Sequence, residues 1–265
     1  MMLRILLVVS LAVLVLIPAV PAFAGDDDDR LRAVPAVFVG NEGDCGTLKV
    51  GNVTIPYPAG SNIVTAAWLR GMGLPDRDGD TALNTSAADL VTNPNKRDPH
   101  TGFLMSKNGP TADCSASGAE IKGFRKSLTA PITLGFDYRN GSHCGAGAPR
   151  FNVVARPATG PDTFHFVGGC ANDTPAPAPQ DPLQWTRVRF NTSNAAQSFP
   201  VIPAGSRIIS IDLIFDEGTD STSVPDDPRG IGLAVVDNID INGRFIRSGR
   251  GIEPSPDDDN RGDHD

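Results

Sequence analysis

The chain lacks the sequence signatures of the common catalytic machineries. It contains no GxSxG, HExxH or P-loop pattern, so a serine nucleophile elbow, a zincin helix and a phosphate cradle have no sequence support. His100, His143 and His165 are scattered, and His264 lies near the C-terminus. No CxxC occurs among the four cysteines, which removes the close ligand spacing of a zinc site. Aromatic residues make up only 6%, two of them Trp, so stacking platforms for a sugar are few. Positive charge is also in short supply: 23 Lys and Arg stand against 31 Asp and Glu, a formal net charge of −8, with no basic patch. That balance argues against nucleic acid or anionic lipid as partners, and suits a cation or a neutral ligand such as a carbohydrate.

Long apolar runs are absent except at the start. Arg4, the apolar stretch 5–17 and Ala22-Phe23-Ala24 have the charged, apolar and small-x-small parts of a secretory signal peptide spanning 1–24. The run is too short for a transmembrane span and is interrupted by Pro18 and Pro21. Its removal takes away one basic and no acidic residue, so −8 becomes −9. The expected location is secreted, periplasmic or cell-surface. All four cysteines follow the leader and are even in number, which suits disulfides. Three pairings can be written. Cys144 and Cys170 flank a predicted hairpin and should meet, which leaves Cys45 with Cys114.

What is present is β pattern. With 28 Gly and 23 Pro, long helices have little room. In "ITLGFDY", Ile132, Leu134, Phe136 and Tyr138 share a face; in "FNVVA", Phe151, Val153 and Ala155 do. "TFHFV" places Phe164 and Phe166 together. "TRVRF" sends Val188 and Phe190 inward and Arg187 and Arg189 outward. In "RIISIDLIF", Ile209, Ile211, Leu213 and Phe215 alternate with Ile208, Ser210, Asp212 and Ile214. Short alternating strands between turn signals predict an all-β fold, an antiparallel jelly-roll-type sandwich. Its expected limits are 34–250, with 34–128 looser and 129–246 dense in strands. Residues 25–33 and 251–265 read as acidic, disordered ends. A short helix is expected at 85–91, and the proline-rich stretch 172–182 as a long exposed loop.

One strand carries a charge in its apolar row. In "GIGLAVVDNIDING", Ile231, Leu233, Val235, Ile239 and Ile241 alternate, and strict alternation adds Asp237 to the same face. An unpaired buried carboxylate costs several kcal/mol. A β-bulge at Val235-Val236, backbone donors at the rim, or a bound cation would each resolve the conflict. The apolar run followed by Asp-Asn and Ile-x-Ile resembles the last strand of secreted bacterial jelly-roll proteins, the galactose-binding-like carbohydrate-binding modules. The resemblance covers 206–216 and 231–243. It implies a β-sandwich that binds glycan, with Asp237 helping to hold a structural Ca²⁺.

A second metal candidate is "DRDGD", where Asp76, Asp78 and Asp80 alternate as at the opening of a calcium loop. Counting on from Asp76, Thr81 and Ala87 stand where an EF-hand needs Gly and Glu, so a full EF-hand is excluded. Trp68 sits in an apolar segment and is expected in the core. Trp185 shares a face with Arg187 and Arg189, and the three form the candidate ligand-binding surface. Asp216-Glu217 is the pair that a glycosidase would use if another carboxylate faced it. The reading is a binding module for carbohydrate or cell-envelope glycan, without catalytic residues. The alternatives are an exported structural or interaction protein and, behind it, a polysaccharide hydrolase.

Overall fold

The computed structural model describes residues 31–74, 100–125, 127–221 and 231–253. In chain order the strands are β1 (Arg32–Val39), β2 (Thr47–Val50), β3 (Val53–Pro56), β4 (Val64–Leu69), β5 (Gly102–Lys107) and β6 (Ser115–Lys122). There follow β7 (Thr133–Arg139), β8 (Arg150–Arg156), β9 (Thr163–Gly168), β10 (Ala176–Pro177) and β11 (Trp185–Asn191). The last are β12 (Ser198–Phe199), β13 (Arg207–Phe215), β14 (Leu233–Ile241), β15 (Arg244–Ile246) and β16 (Ile252–Glu253). A 3₁₀ turn at Cys170–Asn172 is the helical element among the described residues.

Two antiparallel sheets form the body. One runs β1-β6-β13-β8-β9-β12, the other β10-β11-β7-β14-β5-β4-β16 with β15 added to β14. The hairpin β2-β3 stands apart. Strands from 34–128 and from 129–246 pair within both sheets: β6 lies beside β13, and β5 beside β14. The early, loop-rich half is therefore part of the same sandwich. The sheet also extends slightly past the expected limits, with β1 opening at Arg32 and β16 reaching Glu253.

Alternation decides what fills the space between the sheets. The eight-stranded sheet contributes Leu134, Phe136, Val188, Phe190, Phe103 and Met105; the six-stranded sheet contributes Phe151, Val153, Ile211, Leu213 and Phe215. Trp68 is buried as expected, its Nε1 donating to the Ala33 carbonyl at 2.8 Å and its ring 5.1 Å from that of Phe103. The disulfides are Cys45–Cys114 and Cys144–Cys170, each with Cα atoms 5.4 Å apart, as the hairpin argument expects.

Two strands shift phase by a bulge. In β13 the register slips between Ile208 and Ser210, so Ile208 joins the core and Ile209 does not. In β14 it slips between Asp237 and Asp240. Before the slip the core residues are Ala234 and Val236; after it they are Ile239 and Ile241. Asn238 is the extra residue, with φ 47°, a left-handed conformation that Asn tolerates. Asp237 consequently lies on the outward face with Val235, opposite Asp137 of β7. The single alternating row from Ile231 through Asp237 to Ile241 does not exist, because one inserted residue exchanges the two faces.

A buried lysine ties a loop to the sandwich. Lys107, at the end of β5, donates from Nζ to the carbonyls of Thr111 (3.0 Å), Asp113 (2.6 Å) and Asp216 (2.9 Å). Burial lowers its pKa from the ordinary lysine range, and Asp216 and Asp113 oppose that shift. The three carbonyls supply what an ammonium loses on leaving water.

Candidate functional site

Asp237, Arg187 and Arg189 belong to a polar lattice on the outer face of the eight-stranded sheet. Asp237 is fully buried there. Its Oδ2 accepts the Leu74 N–H at 2.7 Å, and its Oδ1 accepts the Asn238 N–H at 2.6 Å. The bulge lies at Asn238 and not at Val235-Val236, and the backbone donors hold Asp237 in a fully buried position and not at the rim. Asp137, equally buried, receives both Nε (2.8 Å) and Nη2 (2.9 Å) of Arg187 and the side-chain amide of Asn238 at 2.8 Å. Arg189 reaches Asp240 at 2.9 Å and Asp137 at 3.2 Å, and its Nη1 donates to the carbonyls of Phe136 and Val188. A Cβ on Gly135 would lie 2.5 Å from the Arg189 Cδ, so the bare glycine is what lets that arginine cross β7.

The electrostatics follow from this packing. Hydrogen bonding to Asp137 raises the pKa of Arg187, whereas burial lowers that of Arg189 despite the same aspartate. Burial also raises Asp240, against the pull of Arg189. Arg187 and Arg189 thus serve to neutralise buried carboxylates. Trp185 shares their face, as alternation requires, but only 3% of it is exposed. Leu74, Ala178 and Val235 cover it. Ala178 comes from the stretch 172–182, which adds β10 to the sheet edge and seats Ala178 on the tryptophan instead of running as an open loop. The expected sugar platform at Trp185 is therefore a small second core.

Asp76, Asp78 and Asp80, the expected helix at 85–91 and the leader lie outside the described residues. Among the described residues no three His, Cys, Asp or Glu side chains form a metal-holding group. Among the described residues the partners of Asp216 and Glu217 are basic side chains. Arg150 grips Asp216 with two contacts of 2.7 Å, and Glu217 meets the buried His143 at 2.5 Å.

The exposed chemistry lies on the opposite side of the molecule, on the outer face of the six-stranded sheet. There Phe164, Phe166 and Phe199 are 47%, 43% and 44% exposed. In β9 the inward positions go to His165 and Val167 instead. His165 is satisfied in the interior by Thr163 and by the Pro200 carbonyl, each at 2.7 Å. The rings of Phe164 and Phe166 meet edge to face at 5.0 Å, and the Arg150 guanidinium lies 5.0 Å from the Phe166 centroid.

Strand register extends this aromatic edge into a row. Phe199 pairs with Phe166, Phe166 with Asn152, Asn152 with Asp212, Asp212 with Glu120, and Glu120 with Val34. Five interstrand spacings make the row about 24 Å long. Pairing of β13 with β6 stops at Asp212 and Glu120. Beyond that point the strands part around a cleft of about 380 Å³, lined by Glu120, Lys122, Phe124, Arg207, Ser210 and Asp212 among others. Burial, with Glu120 adding like charge, pushes the Asp212 pKa up to about 6, and Lys122 opposes this weakly. Lys122 itself is paired with Glu120.

Sequence reasoning missed this row. Its one visible sign was Asp212 among the outward positions of "RIISIDLIF"; nothing local indicates that Glu120 and Asn152 flank it. Comparison with protein-family models, curated proteins and solved structures returned no match.

Proposed function

We propose that this is an exported binding protein that takes a carbohydrate chain along the outer face of the six-stranded sheet. The observation that carries the reading is the row from Phe199 through Phe166, Asn152 and Asp212 to Glu120. Sugar rings present an apolar C–H face and a rim of hydroxyls. A platform of exposed aromatic rings continuing into an amide and two carboxylates offers a partner for each. Export is supported by the leader-like start of the chain and by two disulfides, which persist in oxidising compartments. No helix among the described residues is long and apolar enough to cross a membrane.

Binding without catalysis fits the placement of the acids. Asp212 and Glu120 stand side by side on neighbouring strands, not on opposing walls of a groove. The test is a glycan-array screen of the protein lacking residues 1–24, repeated with the double variant Phe164→Ala/Phe166→Ala. Both rings are exposed, so the variant should melt with the parent. Retention of at least one glycan class by the parent and its loss in the variant is the expected result. No retained glycan, or equal retention by the variant, overturns the reading.

A further inference from the structure

We propose that the carbohydrate bound on this face is a polymer of amino sugars with free ammonium groups, one of which seats between Asp212 and Glu120. This rests on the carbohydrate reading above and specifies the ligand at its centre. The decisive feature is the charge state of the row. Asp212 is half-buried, yet no hydrogen bond or ion pair to it occurs among the described residues. Its cross-strand neighbour on one side is a second carboxylate, Glu120, and on the other the neutral Asn152.

Among the described residues the nearby cations have partners of their own. Lys122 pairs with Glu120, Arg150 is held by Asp216 and the Gly147 carbonyl, and Arg156 is held by Asp162. Arg207 lines the far part of the cleft. Among the described residues the two carboxylates of the row therefore share the single ammonium of Lys122, and Asp212 stands in an outward-facing position that a ligand can reach.

A neutral sugar would offer Asp212 a hydroxyl but leave that charge uncompensated. An ammonium offers three donors and one positive charge. Asp212 and Glu120, with the Asn152 side-chain oxygen that also accepts from Arg150 Nε at 3.3 Å, provide three acceptors in register order. The neighbouring rings can take the apolar faces of adjacent sugar units in the same polymer. A small hard cation is a poorer fit, since calcium takes six to eight oxygen ligands.

The experiment is calorimetric titration with three β-1,4-linked oligosaccharides of equal length: a glucosamine oligomer, its fully N-acetylated counterpart and a glucose oligomer. It is run slightly above pH 6, where the Asp212 carboxylate and the amine are both substantially charged. The expected result is binding of the glucosamine oligomer about tenfold or more tighter than the other two. Asp212→Asn should remove that preference, so that the three oligomers bind within about twofold of one another. Glu120→Gln should reduce it in the same direction. Equal binding of all three oligomers, or a preference that survives Asp212→Asn, overturns the amino-sugar inference while the carbohydrate reading stands. Absence of binding to all three here, together with a blank glycan array, overturns both.

Discussion

At the scale of single residues, Asp212 sets up a conflict between stability and exposure to ligand. Its pKa is raised from the ordinary aspartate value of 3.8 to about 6, first by burial and then by Glu120. The folded state therefore binds this proton more tightly than the unfolded chain does. Between about pH 4 and pH 6 the native carboxyl keeps a proton that the unfolded one has lost, so stability falls as pH rises through that window. The ceiling is about 3 kcal/mol, and partial solvent access cuts it to about 1–2 kcal/mol. Asp212→Asn should accordingly be more stable than the parent by that amount near pH 8, and the gain should vanish near pH 4. Urea unfolding at the two pH values measures it. A variant less stable than the parent near pH 8 would mean that the carboxylate has a stabilising partner. Residues that weaken a fold while facing outward are good places to look for function.

At the scale of elements, β14 explains both what the sequence revealed and what it hid. Period-two alternation fixed the inward residues of β7, β8 and β11 correctly, because each is a regular strand with one apolar face. It failed in β14, where a single left-handed Asn238 moves the core row from even to odd positions. Local apolarity could not reveal this, since Leu233 and Val235 are themselves packed outside the sheet around Trp185. The same covering layer hides Trp185, and no single strand encodes it. The Asp-Arg lattice on that face joins β7, β11 and β14 through side chains that meet only once register is fixed. Asp137, Asp237 and Asp240 are accompanied there by Arg187, Arg189 and Arg247, three charges of each sign. Guanidinium groups hold Asp137 and Asp240, and the backbone N–H groups of Leu74 and Asn238 hold Asp237, the residue that the resemblance gives to Ca²⁺. EDTA should leave the melting temperature unchanged, whereas Asp137→Asn should cost about 2–4 kcal/mol by stranding Arg187. A melting temperature that falls with EDTA and recovers with added Ca²⁺ would return the structural role to the ion.

At the scale of the whole molecule, the two disulfides act on different parts of the fold, and loop length alone ranks them wrongly. Cys45–Cys114 closes 69 residues and Cys144–Cys170 closes 26. Chain entropy by itself assigns about 4.4 and about 3.5 kcal/mol to them, favouring the first. Their surroundings reverse that order. Cys144 and Cys170 are both buried in the main core, so losing their sulfurs also removes packed volume. Cys45 is exposed and anchors the β2-β3 hairpin, whose apolar residues Val50, Val53 and Ile55 all face solvent. Without its bond to Cys114 that hairpin can detach while both sheets stay intact. The native state then gains much of the freedom that the unfolded chain gains, and the entropic terms largely cancel. Cys45→Ala/Cys114→Ala should therefore lower global stability by about 1–2 kcal/mol and raise amide exchange across 44–57. Cys144→Ala/Cys170→Ala should cost about 3–5 kcal/mol with no such local signature. Denaturant unfolding beside hydrogen exchange tests the pair. A larger global loss from the Cys45–Cys114 variant would show that the hairpin supports the sandwich, and with it the edge at β1 and β6 where Glu120 closes the ligand row.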